Sequence, residues 1–487
     1  MTKRAALGRQ RPNQTRKLLR RNKTAEELFV VALSRKQAAA GLTLFAGGLL
    51  GCLLLTWLSW RAAPPSAKSA PFVAIYAVLF ALYLGGMFWM RQARLPAQRV
   101  APIILGVGVV FRLALLPAPP LLDDDIYRYR WDGKLVAHRE NPYAFPPEAQ
   151  EFAYLQVGDP LFSKIGFRDI PTVYPPLSQG LFALGYGLNP DGIWGIKTLV
   201  VLCDVGAICL LLRLLQTLGR SPAWAALYAW NPLPLKEFAN TAHHDAAGIA
   251  LLLFALWLLA RHRPLPAALF LALTTLIKPV LLLLAPALWG KLRVRDALLW
   301  GAVVVLAYLP FASVGMERLF AGTVIYTKWW EMNDSLFALL QLAFGGRPFQ
   351  GETVPQARAM VLLLWGAAAV WALHDAYRER AGLPPILGQN RQGMARAFWR
   401  MAVLLAVALA LTPTMDPWYL CWLVPFLCLF PWRPWLLLTA TVSLSYLYYL
   451  RDQDIFWLRP LEYVPVYGWL LVLFFAHFRR QPHAPAA

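Results

Sequence analysis

An all-α polytopic membrane protein is the fold class this sequence predicts, with about 12–14 transmembrane helices and a helical first extracytoplasmic loop. Three observations carry that reading. The chain of 487 residues is 58% hydrophobic and only 15% charged, where soluble globular chains are about a quarter charged. Long apolar stretches recur from residue 41 to residue 475. Basic residues gather at alternate ends of those stretches, as the positive-inside rule requires. Together these exclude a soluble enzyme, a secreted disulfide scaffold and an ordinary DNA-binding protein.

The formal charge is +21, from 47 basic and 26 acidic residues, and its placement decides its meaning. Residues 1–37 read as a basic cytoplasmic tail. It carries Lys3, Arg4, Arg9, Arg11, Arg16, Lys17, Arg20, Arg21, Lys23, Arg35 and Lys36 against Glu26 and Glu27. Its expected partners are anionic membrane lipids and not nucleic acid. The stretch 41–60 is longer than a signal-peptide core and lacks a small-residue cleavage site, so it reads as a retained first span.

Spans are expected near 38–60, 71–90, 100–117, 193–213, 222–236, 245–261, 265–290, 296–314, 359–374, 398–413, 417–430, 434–450 and 463–478. From a cytoplasmic N-terminus this threading puts Arg91, Arg94, Arg99, Arg213, Arg220, Arg261, Arg263, Lys291, Arg293 and Arg295 inside. The loop from Arg378 to Arg400, Arg433, Arg479 and Arg480 follow. The organisation expected is a transmembrane domain over 38–478 in the inner (plasma) membrane, with outer loops at 118–172 and 315–358. A cytoplasmic tail follows at 479–487. The five cysteines all lie in apolar segments without a CxxC pair and read as packing residues.

Two segments are not simple spans. A crossing by the stretch after Tyr174 would invert everything downstream, so it reads as re-entrant or interfacial. Residues 265–290 are broken by Lys278-Pro279 into two half-helices of about 11 residues, each roughly 16 Å long. On this threading 20 of the 26 acidic residues fall outside, ten of them from Asp123 to Asp191. The others are Glu237, Asp245, Glu317, Glu331, Asp334, Glu352, Asp416, Asp452, Asp454 and Glu462. An acidic, aromatic-rich outer face marks where chemistry is expected.

The first outer loop opens with Asp123-Asp124-Asp125. Adjacent carboxylates repel one another and raise at least one pKa, which suits a general base. The plainer reading is a helix N-terminus that favours acidic residues. On a helix Asp125, Arg128 and Asp132 share a face, with Tyr129 beside them. His243-His244-Asp245 opens a later span. Adjacent histidines diverge by about 100° on a helix, so the pair makes a weak metal site; a helix cap or a substrate contact fits better. Asn333-Asp334-Ser335 reads as a helix N-cap, and Asp416 beside Trp418 suits either a sheltered turn or sugar binding. Within the membrane Arg112, Lys197, Asp204 and Lys278 must face an interior. Lys197 and Asp204 share a helix face, and if Lys278 pairs structurally with a carboxylate, Asp204 is the only deeply placed candidate.

The strings DDDIYRYRWDGKLVAHRENPY, VYPPLSQ, WNPLPLKEFANTAHHDA, TTLIKPVLLLLAP and TPTMDPWYLCWLVP occur in that order. The ordered set resembles GT-C-type membrane glycosyltransferases over residues from about 100 to 430. It looks most like glycosyltransferase family 87 and the polyprenyl-phosphate-mannose-dependent α-mannosyltransferases. The resemblance implies a GT-C-like bundle and a hexosyltransferase, with mannose moved from a polyprenyl-phosphate donor to a glycan or lipid-linked acceptor on the outer face. It implies inversion with an Asp base, either Asp124 or Asp125; Asp123 exceeds the two acidic residues many relatives show. Lys278 falls where relatives carry a basic residue that meets the donor phosphate. Substrate contacts are expected at Asp123, Arg128, Tyr129, Asp132, Tyr174, His243, His244, Asp245, Lys278, Asp334, Asp416 and Trp418.

No GxGxxG fingerprint occurs, which disfavours a nucleotide-sugar donor. No cofactor is expected, although carboxylate clusters can bind Mg²⁺ or Mn²⁺ and the sequence leaves a metal open. A transporter or flippase of a lipid-linked sugar is the alternative, since such proteins also carry broken helices and intramembrane charge. The internal repeat expected of one is not seen in the sequence.

Overall fold

The computed structural model describes residues 12–93, 95–348, 354–385, 393–450 and 458–479. Residues 1–11 of the basic tail, Glu352, residues 386–392 of the Arg378–Arg400 loop, Asp452, Asp454 and residues 480–487 lie outside the described residues. Among the described residues the elements are helical throughout and no β-sheet forms. Seven helices are long and apolar enough to cross a membrane, or eight if the bent pair Pro232–Asn240 and Asp245–Ala260 is one span. The seven are Arg35–Trp60, Pro65–Gln92, Gln98–Leu115, Trp194–Thr217, Val294–Trp329, Pro355–Arg380 and Gly393–Leu411.

The remaining apolar segments form shorter pieces, and prolines explain most of the breaks. The predicted span 222–236 is divided into Pro222–Ala225, Ala226–Ala229, Pro232–Pro234 and a π-helical turn, Leu235–Asn240, because Pro222, Pro232 and Pro234 remove donors and crowd the preceding turn. The predicted break at Lys278-Pro279 is present, between the helix Pro264–Thr275 and the 3₁₀ stretch Pro279–Leu288. Lys278 itself is extended (φ −153°, ψ 128°), as expected for a residue before proline. The helix Pro176–Leu188 has 13 residues, too few to cross. Helix continues through Gly315–Trp329, so the apolar run beginning at Val294 extends into the segment expected as the second outer loop.

Burial follows solvent type. Val294–Trp329 is strongly apolar but barely buried, as for a helix facing lipid, where hydrocarbon replaces protein as the apolar environment. The interior is built by Asp245–Ala260 packed against Trp194–Thr217 and Pro264–Thr275. Beside it, the loop helix Asp125–Ala137 lies on Pro176–Leu188. That contact needs Gly133, where an added Cβ would stand 2.2 Å from the Phe182 carbonyl oxygen.

Intramembrane charges find partners, but not those the sequence suggested. Asp204 is buried against Arg112, with Oδ2 2.6 Å from Nε, and accepts from the Tyr228 hydroxyl at 2.7 Å. It is therefore not the partner of Lys278. Lys197 donates to the carbonyl oxygens of Ala118 and Asn240 and, among the described residues, to no carboxylate, so it clamps loop backbone to helix.

Candidate active site

The loop helix Asp125–Ala137 and the bend between Leu235–Asn240 and Asp245–Ala260 bring the acidic triplet and the histidines together. Both approaches pass through unusual backbone. Leu122, just before the triplet, has φ 57°, and Ala242, just before the histidines, has φ 62°. Non-glycine residues pay about 1–3 kcal/mol for such conformations, and they cluster at functional sites. Ala242 sits in the 120° bend between Pro232–Asn240 and Asp245–Ala260, which turns His243 toward the triplet.

Asp125 Oδ2 accepts from the Tyr129 hydroxyl at 3.2 Å and lies 3.8 Å from His243 Nδ1. The same hydroxyl is 3.2 Å from that nitrogen. Asp123 holds the Asp125 amide through Oδ1 at 3.0 Å and places Oδ2 3.4 Å from His243 Nε2. The His243 ring is fully buried and stacked on Trp418 at 3.9 Å between centroids. Ligand atoms of Asp123, Asp125 and His243 all lie within 4.8 Å of one another. His243 thus joins a potential metal-ligand cluster with the triplet, whereas its neighbour His244 turns away into a box of Tyr129, Tyr174 and Phe182.

Asp124 is the most open of the three and forms no side-chain hydrogen bond or ion pair with another described residue. Desolvation in the crowded loop mouth, and then the Asp123 charge, raise its carboxyl to about 6. Desolvation also raises Asp123 and Asp125 above the ordinary carboxylate range. Buried Asp416 is raised too, by desolvation and then by the Asp125 charge.

Lys278 reaches the same region. Its Nζ is 2.7 Å from Asp245 Oδ1 and 4.1 Å from the centre of the Tyr419 ring. Asp245 also accepts from the Trp422 indole. The Lys278 side chain keeps 22% exposure, so its ammonium is not spent entirely on that pair.

Other predicted site residues are occupied elsewhere. Arg128 and Asp132 pair with each other at 2.9 Å. Arg128 also holds the Ile170 carbonyl, while Asp132 accepts from Thr172; the pair braces the loop. Asp334 pairs with Arg459, in a cluster that includes the Asn333–Glu462 hydrogen bond. The expected cap does not form: Ser335 makes no capping bond to the helix Leu336–Ala343 and instead meets Ala410 and Tyr467.

Sequence reasoning placed Glu237 among the outer acidic residues without a site role and passed over Lys236. Glu237 is buried, accepts from Tyr446 and Lys236, and lies 3.6 Å from His243 Nε2. The available signal was an ion pair in an apolar run six residues before His243. An apolar cavity of about 620 Å³ among the first three spans contains none of the predicted site residues, and the chemistry described here does not use it.

A family model described as alpha-(1->6)-mannopyranosyltransferase, N-terminal domain (MptA/B family), matches residues 37–294. No curated protein matches the chain.

Proposed function

The chain belongs to the MptA/B family of alpha-(1->6)-mannopyranosyltransferases, membrane hexosyltransferases, and from that premise we propose its donor, face and mechanism. The donor is a polyprenyl-phosphate mannose and the acceptor a glycan or lipid-linked glycan, met on the extracytoplasmic face. The acceptor hydroxyl attacks the anomeric carbon, a carboxylate of the Asp124–Asp125 pair takes its proton, and polyprenyl phosphate departs with inversion.

One observation carries this reading. Residues from four distant motifs converge: the Asp123–Asp125 triplet, His243 and Asp245, Lys278, and Trp418 with Tyr419. The arrangement supplies carboxylates for a proton, a half-open ammonium for a phosphate, and aromatic faces for a sugar ring. Positioned base catalysis contributes about a hundredfold or more, and a preorganised cation stabilises charge developing on a leaving group. The absence of a nucleotide fingerprint in the sequence agrees with a lipid-phosphate donor.

The test is sugar transfer in detergent. Purified protein given a short-chain polyprenyl-phosphate mannose and a mannoside acceptor should form an α-(1→6) linkage, which a flippase would not. Transfer from a nucleotide-mannose with none from the lipid phosphate would overturn the donor. A cysteine at exposed Glu148 should react with an impermeant reagent in intact cells; protection there until permeabilisation would overturn the face.

A further inference from the structure

We propose that Asp123, Asp125 and His243 form a binding site for a divalent cation of the Mn²⁺ or Zn²⁺ kind. The inference rests on the proposed function only for what the cation does; the site itself stands on geometry. Tyr129 donates its hydroxyl proton to Asp125 Oδ2. Its oxygen is then free to accept from His243 Nδ1–H at 3.2 Å. In that tautomer His243 Nε2 carries a lone pair. The nitrogen is fully buried without a hydrogen-bond partner and faces Asp123 Oδ2 at 3.4 Å and Glu237 Oε2 at 3.6 Å. An acceptor aimed at two anionic oxygens is repulsive unless something positive lies between them.

A proton on Nε2 of the neutral ring, with Nδ1 then accepting from Tyr129, is the other way to fill that gap, but no hydrogen bond from Nε2 closes on either oxygen at 3.4 and 3.6 Å. A metal ion needs no such protonation, because it binds neutral imidazole and ionised carboxylate. Ligands about 2.1 Å from a common ion sit roughly 3 Å apart when adjacent and about 4 Å when opposed; Asp123 Oδ2 and His243 Nε2 at 3.4 Å meet that spacing, and Asp125, in a cluster spread over 4.8 Å, must close in to complete it. Two carboxylates and an imidazole favour Mn²⁺ or Zn²⁺ over the oxygen-seeking Ca²⁺ and Mg²⁺.

The wider charge pattern points the same way. Asp123 and Asp125 lie within electrostatic reach of both Asp124 and Asp416, and Glu237 within reach of Asp416 and His243. Lys236 is engaged by Glu237 and Tyr446, and Lys278, shared with Asp245, is the one partly open cation among the described residues of the site. A surplus of carboxylates repels an anionic lipid phosphate. A bound dication removes that repulsion and takes up Asp123 and Asp125, which leaves Asp124 as the free carboxylate and therefore as the base.

Full-length protein in detergent, stripped with chelator, is titrated with Mn²⁺, and free ion is followed by its paramagnetic resonance signal. The wild type should sequester one Mn²⁺ per chain. Asp123→Asn and His243→Gln should each weaken binding by about tenfold or more, while Asp124→Asn should bind Mn²⁺ normally and lose turnover. Gel filtration and thermal melting verify the fold. His243→Gln keeps a polar group of similar reach, so one variant tests the site even if another fails to fold. No stoichiometric uptake by the wild type overturns the inference, as does uptake unchanged in folded Asp123→Asn and His243→Gln. Mannose transfer without Mn²⁺ uptake would sink the cation site and leave the proposed function standing. Uptake with no transfer from any lipid-phosphate donor would do the reverse.

Discussion

At Asp375 each carboxylate oxygen meets a guanidinium, whereas the carboxylate of Asp124 meets no donor from another described side chain. Asp375 receives Arg396 on both oxygens at 2.9 Å and Arg400 on one at 3.1 Å. Neighbouring Glu379 divides its oxygens between Lys291 at 2.7 Å and Arg400 at 2.8 Å. Among the described residues three cations and two anions meet there. In the acidic triplet the anions exceed the cations nearby, and Asp124 is left open. Burial raises the cost of any unpaired charge, so the first arrangement is what stability alone selects. The second persists where something is expected to come and complete it.

Substitutions at Asp124, Asp375, Lys278 and Gly166 probe that contrast. Asp124→Asn should lower mannose transfer on the order of a hundredfold or more while leaving the melting temperature close to wild type. A variant that instead unfolds would make the triplet structural and erase the contrast. Asp375→Asn should do the opposite. Removing one member of a buried ion cluster costs about 3 kcal/mol, seen as a lower melting temperature, with turnover per folded molecule nearly unchanged. A stable Asp375→Asn protein with impaired transfer would show that both clusters serve the reaction.

Lys278 stands between the two types, paired to Asp245 yet partly open. Lys278→Met should reduce kcat/KM for the lipid donor by roughly tenfold or more, and Lys278→Arg should recover part of it. If Lys278→Met and Asp245→Asn both simply unfold the protein, the pair belongs with Asp375. Normal donor kinetics in a folded Lys278→Met protein would remove the phosphate role.

The smallest effect is expected at Gly166. A Cβ there would stand 2.7 Å from Asp124 Oδ2. Gly166 has no left-handed backbone to strain, and a surface carboxylate can swing aside. Gly166→Ala should therefore misplace Asp124 and reduce turnover by roughly threefold to tenfold, with stability unchanged. Unchanged turnover would mean that the position of Asp124 is not critical.

Much was legible in the sequence because the forces behind it are local. Hydrophobic length and the scarcity of charge determined an all-helical membrane protein. The Lys278-Pro279 dipeptide determined a break, since a residue before proline is driven to extended backbone. Asp123-Asp124-Asp125 announced a carboxylate cluster by adjacency alone. Partnership was another matter. Asp204 looked like the mate of Lys278 because both are charged and deep. Only the packing of Gln98–Leu115 against Trp194–Thr217 gives Asp204 to Arg112, and only the bend at Ala242 brings Asp245 and His243 to the other motifs. His243 and Asp123 are 120 residues apart in sequence, and no local periodicity encodes their contact. Pairing strength falls with separation and rises with burial, so it is decided by the few ångströms that tertiary packing sets.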